Sequence, residues 1–109
     1  MSEVPAGASG PGTVVMELGA GIGALVLYTP SGLDGHEIDI SRDGHPGAPR
    51  THSQVRARHM GEVTRYAAVY PDLAEGPYTI WRDGHRPAAT VTITGGQVTS
   101  CDWPPDRAS

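Results

Sequence analysis

All eight basic residues of this chain are arginines, and Arg56, Arg58 and Arg65 are spaced to share one surface. A guanidinium group presents a planar fork of donors that matches carboxylate and phosphate oxygens. Trp81 follows the apolar Ile80 in a strand-like pattern, so we expect it to point outward, where a large aromatic side chain often anchors a partner. The sequence therefore predicts a candidate binding surface of Arg56, Arg58, Arg65 and Trp81, for a protein or a small anionic ligand.

The same residues also have a purely structural interpretation. Arg50 lies near the other arginines in the sequence, and Glu62, with Glu37 or Asp39, would neutralise this face across neighbouring strands. Trp81 would then only cover the edge of a sheet. Residue types and spacing leave both interpretations open.

A glycine-rich segment near the N-terminus suggests different chemistry. Residues 15–25, Val-Met-Glu-Leu-Gly-Ala-Gly-Ile-Gly-Ala-Leu, resemble the first motif of S-adenosylmethionine-dependent methyltransferases, and residues 35–41 resemble the second, in which Asp39 would hold the cofactor ribose. That chemistry needs a helix after the glycines, whereas residues 24–28 favour a strand and soon reach Pro30. We therefore interpret the glycines as a bulge or bend, predict no cofactor, and keep a methyltransferase-like protein as an alternative.

The other reactive side chains form no motif. The five histidines are His36, His45, His52, His59 and His85. None are spaced as neighbours on one face of a strand, which favours surface histidines over a metal site. The serines lack the Gly-x-Ser-x-Gly pattern, so a small hydrolase is a second alternative rather than the main prediction. Cys101 has no adjacent base and is expected to be inert.

Length and composition restrict the remaining possibilities. A chain of 109 residues suits one domain, and a net charge of −4 argues against a nucleic-acid partner. One cysteine cannot form an internal disulfide. Residues 1–12 read as a disordered leader and 105–109 as a disordered tail, while the apolar run 18–28 is too short to span a bilayer. The prediction is a soluble cytoplasmic protein with no membrane partner.

Hydrophobic alternation of period two, with Pro/Gly turns between the segments, predicts an all-β domain over residues 13–104. The predicted strands are 13–18, 23–28, 36–41, 53–59, 64–70, 78–82, 88–94 and 97–103. Seven or eight short strands at this spacing are typical of a single antiparallel β-sandwich or barrel, and we predict a sandwich.

Two hairpins can be placed in register from the sequence. A two-residue Gly95-Gly96 turn would pair Thr94 with Gln97, which puts Val98 on the core face and Cys101 on the solvated threonine face. The second hairpin joins strands 53–59 and 64–70 through residues 60–63. Its preferred register keeps five apolar residues on one face: Val55, Ala57, Tyr66, Ala68 and Tyr70. The three arginines then share the opposite, exposed face.

The segment from Tyr70 to Trp81 carries a family resemblance. Tyr70, Leu73, Gly76 and Tyr78, followed by a final Val-Thr-Ile-Thr-Gly-Gly-Gln-Val stretch, resemble the prealbumin-like (transthyretin-like, carboxypeptidase-regulatory-like) β-sandwich modules over residues 53–103. The whole chain also looks like short actinobacterial proteins, some labelled phospholipase, although no residue supports that label. Proteins of this fold are mostly binding or accessory modules and a minority are enzymes, so the resemblance favours a non-enzymatic role. A homodimer through an edge strand or the Trp81 face is a further expectation.

Overall fold

The computed structural model describes residues 20–44, 47 and 49–104, and these residues form an all-β protein, as predicted. The strands are β1 (Ile22–Thr29), β2 (Glu37–Arg42), β3 (Thr51–Gln54), β4 (Arg56–Met60), β5 (Val63–Ala74), β6 (Gly76–Trp81), β7 (Pro87–Ile93) and β8 (Val98–Asp102). One 3-10 turn, Ser31–Leu33, follows β1. The predicted strand 13–18, the leader 1–12 and the tail 105–109 lie outside the described residues.

The strands form two four-stranded sheets. Sheet A has the order β4-β5-β1-β8, and sheet B has the order β3-β2-β6-β7. Pairing is mostly antiparallel, but β1 and β8 run parallel. The described part of the chain contains no helix of the length and apolarity needed to cross a bilayer.

The two sheets contribute to one hydrophobic core. Sheet A supplies Leu25, Leu27 and Tyr70, and sheet B supplies Ile40 and Ile80, all at most 1% exposed. The Tyr70 hydroxyl donates to the Ile38 carbonyl of sheet B at 2.7 Å, so a polar group in the core keeps a partner. Burial, with a smaller contribution from the Asp39 charge, raises the pKa of Tyr70 far above its ordinary value.

Val55 marks the first place where the sequence prediction was wrong. The predicted strand 53–59 is two strands in different sheets: β3 pairs with β2, and β4 pairs with β5. Val55 lies between them, fully buried, and its backbone exchanges hydrogen bonds with Gly35 and His36. Alternating side chains alone cannot reveal that a strand changes sheet at one residue.

The segment from Tyr70 to Trp81 carries the chain back to sheet B. The sequence predicts a turn at Pro71-Asp72, but strand β5 continues through these residues to Ala74. They lie at a bulge, because the pairing of β1 with β5 shifts register between Gly23 and Leu25. Proline is tolerated in a strand at such a bulge. The Tyr78 hydroxyl donates to the Ala74 carbonyl at 2.7 Å, the geometry of a tyrosine corner.

The predicted Gly95-Gly96 hairpin does not form. Strand β7 belongs to sheet B, and β8 crosses to sheet A, where it pairs with β1. A type I′ turn needs positive φ at both central residues, and only Gly96 of the two has it. As a consequence, Val98 is 44% exposed rather than buried, while Cys101 packs against the core at the level of Leu27 rather than on the solvated face.

The described part of the glycine-rich segment, residues 20–25, serves backbone packing. Residues Ile22–Thr29 are strand β1, at the position where a methyltransferase-like protein would have a helix. A Cβ atom on Gly23 would lie 2.5 Å from the Thr94 carbonyl oxygen, and one on Gly95 would lie 2.9 Å from the Gly21 Cα atom. These glycines allow β1 to approach the chain that crosses from β7 to β8.

Candidate binding surface

Arg56, Arg58 and Arg65 share the outer side of sheet A, as the predicted hairpin register requires. Strands β4 and β5 pair Ala57 with Tyr66, which confirms that register. Tyr66 packs against the core, so the alternate residues point away from it. Ala57 is the exception among the five apolar residues of the predicted hairpin face, because it shares the side of Tyr66 but is exposed. We call the outer surface formed by Arg56, Arg58 and Arg65 the basic face.

Arg58 and Arg65 are directly opposite each other across the two strands. Like charges in directly opposed positions destabilise a sheet. Arg58 Nη2 donates to the Ala67 carbonyl at 3.4 Å, but its Nε atom is buried and has no hydrogen-bond partner among the described residues. A buried donor without an acceptor costs free energy, so this arginine is held in an unfavourable position.

The remaining basic-face contacts leave most of the positive charge uncompensated. Arg65 stacks on the Tyr28 ring, with its Cζ atom 3.7 Å from the ring centre, and its Nη2 atom lies 3.5 Å from Asp102 Oδ1. The side chains of this ion pair are 44% and 81% exposed, so water screens the attraction. The Arg56 side chain is exposed and has no hydrogen bond or ion pair within the part of the chain that the structure describes.

Sequence reasoning missed an apolar pair at the tip of the same hairpin. Met60 and Val63 are paired residues at the ends of β4 and β5, joined by the Gly61-Glu62 turn. They lie two residues beyond Arg58 and Arg65 on each strand, so they share the outer side of the sheet. The sequence predicts a four-residue loop over residues 60–63, whereas the structure has a two-residue turn with a φ of 68° at Gly61. A two-residue turn at Gly61 is the signal that would have placed Met60 opposite Val63.

Trp81 is not part of the basic face. It lies on the outer side of sheet B, where its Nε1 donates to Ser41 Oγ at 2.8 Å. The Arg50 guanidinium lies 4.0 Å from the ring centre, and Arg50 also contacts Asp39 at 3.6 Å and the Gly84 carbonyl at 3.2 Å. These contacts fix Trp81 and Arg50 to each other, so one face of the ring is already covered.

The other candidate residues are not brought together into a site. The described residues contain no group of three or more His, Cys, Asp or Glu side chains suited to a metal ion, and His45 lies outside them. Cys101 is half-buried, and burial, together with the Asp102 charge, raises the pKa of its thiol. A thiol with a raised pKa is a poor nucleophile at neutral pH.

The sequence Asp-Gly-His occurs three times, at residues 34–36, 43–45 and 83–85, and the third copy forms a tight turn. The Asp83 carboxylate accepts hydrogen bonds from the backbone amides of His85 and Arg86 at 2.8 and 2.9 Å, and from Arg86 Nε at 2.8 Å. These bonds lower the pKa of Asp83 to about 2. Here the aspartate closes a tight turn, and the Arg86 contact is local to that turn.

No protein-family model and no curated protein matches the chain. Among solved structures, the chain is similar to a leucine-rich repeat protein from Bacteroides thetaiotaomicron VPI-5482, with 17% sequence identity and a TM-score of 0.45. The match covers 79% of this chain and 12% of that protein. A similarity of this size supports no inference about the fold or function of this chain.

Proposed function

We propose that this chain is a non-enzymatic binding or accessory module, a prealbumin-like β-sandwich whose basic face binds an anionic group. Two four-stranded sheets with a common core support the sandwich part of the proposal. The tyrosine corner at Tyr78 supports it as well, since it stabilises the change of sheet between β5 and β6. The binding part depends on the basic face alone.

One observation carries the binding proposal: Arg58 and Arg65 are opposed in register, and the buried Arg58 Nε lacks an acceptor. Without a ligand, this arrangement costs free energy through charge repulsion and an unsatisfied donor. An oxyanion between the two guanidinium groups would offset the charge repulsion, because its oxygens accept charge-assisted hydrogen bonds. Rotation of the Arg58 side chain toward the anion would also give its buried Nε–H an acceptor. Phosphate and carboxylate groups have the geometry that arginine forks recognise.

The test follows the arginine Nε–H signals by NMR during titration with sodium phosphate, with sodium chloride at equal ionic strength as the reference. We expect the Arg58 and Arg65 signals to shift and saturate with phosphate only. Arg58→Gln and Arg65→Gln should each weaken binding by about five-fold, which corresponds to about 1 kcal/mol for a partly exposed charged hydrogen bond.

Arg86→Gln provides the matched control, since it removes the same charge from a turn outside the basic face. It should leave the phosphate affinity unchanged. Equal shifts with chloride and phosphate, or equal weakening by all three variants, would mean that the protein responds only to net charge. The binding proposal would then be wrong.

A further inference from the structure

The basic face continues into an exposed apolar pair. Val63 is 57% exposed and Met60 is 39% exposed, and they are two of the three large hydrophobic residues exposed in the described part of the chain. Single exposed apolar residues are common on protein surfaces. These two are opposed in register, however, and the next outward-facing pair is Arg58 with Arg65.

The two pairs define a small amphipathic patch. Successive outward-facing residues on a strand lie about 6.6 Å apart, so the backbone of the apolar pair is one such step from that of the arginine pair. The two guanidinium groups extend away from the hairpin tip, toward the Ala67 carbonyl and the Tyr28 ring. Binding across both pairs therefore requires the two arginine side chains to turn toward the tip. Because Met60 and Val63 frame the Gly61-Glu62 turn, the apolar end lies at the open tip of the hairpin. The charged pair and the apolar pair therefore follow each other along the hairpin, where one bound molecule would contact both.

We infer that the ligand of the basic face is a small amphiphile, with a phosphate or carboxylate head on Arg58 and Arg65 and a short alkyl part on Met60 and Val63. This inference rests on the proposed function and adds the ligand class. The patch consists of four side chains, far less than the roughly 800 Å² per partner of a stable protein interface, which favours a small molecule over a protein. The spacing between the pairs suits an alkyl part of about six carbons.

The experiment compares inorganic phosphate with ethyl, butyl, hexyl and octyl phosphate by calorimetry. We expect the Kd to fall about two-fold for each added CH₂ up to hexyl, because a methylene at an exposed surface gains roughly half of its burial free energy. The Met60→Ser/Val63→Thr double variant should bind inorganic phosphate as the wild type does but lose the dependence on chain length. Circular dichroism and thermal unfolding verify that this variant is folded.

Val98→Thr is the matched control, because Val98 is a comparably exposed valine, at 44%, on the edge strand β8. It should retain the full dependence on chain length. Hexanol tests whether the anionic head is needed, and it should not bind.

Sedimentation with phosphatidylcholine vesicles, with and without phosphatidic acid, distinguishes a lipid headgroup from a free amphiphile. Vesicle binding that needs both phosphatidic acid and Val63 would assign the anionic head to a lipid surface. If the protein does not bind these vesicles, the anionic head belongs to a soluble molecule.

The outcomes separate the two proposals. If phosphate binds but the affinity is independent of chain length, or the double variant keeps the wild-type dependence, the amphiphile inference is wrong and the binding module stands. If neither phosphate nor hexyl phosphate binds, both are wrong. Binding of an acidic peptide in place of every alkyl phosphate would favour a protein partner and overturn the amphiphile inference.

Discussion

At the residue scale, single side chains supply hydrogen bonds to backbone groups at points where neighbouring strands diverge. Ser53 Oγ donates to the Val69 carbonyl at 2.8 Å and accepts from the Val69 amide at 3.2 Å. This one hydroxyl satisfies both backbone groups of Val69, which lies beyond the last residue that pairs β5 with β4. Arg58 shows the opposite state, with a buried donor that has no acceptor in the described structure. Ser53 therefore supports the fold, whereas the unsatisfied donor of Arg58 marks this residue as one of those that we assign to binding.

Cys101 gives a residue-scale prediction. Its thiol faces the core at the level of Leu27, and burial raises its pKa, so we expect little thiolate at pH 8. Alkylation by iodoacetamide, followed by mass spectrometry, should be at least about ten-fold slower in the folded protein than in urea. A folded-state rate equal to the rate in urea would contradict the inward placement and return Cys101 to the solvated face.

At the element scale, the β4–β5 hairpin was predictable because its two strands are neighbours in the sequence. Keeping Ala57 of one strand on the same face as Tyr66 of the other was enough to fix the register that the structure has, in which these two residues are paired. The Gly95-Gly96 segment was not predictable in the same way. A short glycine turn can close a hairpin or carry the chain to another sheet, and the difference lies in the distant partner of β8, which is β1.

The same hairpin yields a stability prediction. Arg58→Thr removes a like charge opposite Arg65 and the buried unsatisfied Nε, and threonine suits a strand. We expect the free energy of unfolding to rise by about 0.5–1 kcal/mol in urea denaturation without added anions. Arg56→Thr, opposite Ala67, is the control and should change stability less. A clear loss of stability in Arg58→Thr would mean that the hydrogen bond to the Ala67 carbonyl outweighs the repulsion.

At the scale of the whole molecule, the described part of the chain passes from one sheet to the other four times. The crossings lie between β1 and β2, at Val55, at Glu75 and between β7 and β8. Most strands could be located from alternation, but their assignment to sheets could not, because alternation gives the face of a side chain and not the identity of the neighbouring strand. The crossings also separate Trp81 from the three arginines, which the sequence had placed in one surface.

The last crossing depends on a close approach that a single substitution tests. A Cβ atom at position 23 would lie 2.5 Å from the Thr94 carbonyl oxygen and 2.7 Å from Ile93 Cγ2, so the backbone after β7 would have to move. We expect Gly23→Ala to lower the free energy of unfolding by about 1–3 kcal/mol, the usual cost of overpacking, measured by urea denaturation with the fluorescence of Trp81 and Trp103. Gly32→Ala is the control: a Cβ there meets nothing within 4 Å, and its effect should stay within about 0.5 kcal/mol. Equal stability of the two variants would show that close packing does not require Gly23, and the glycine-rich segment would then need a different explanation, including the cofactor-binding one that its sequence resembles.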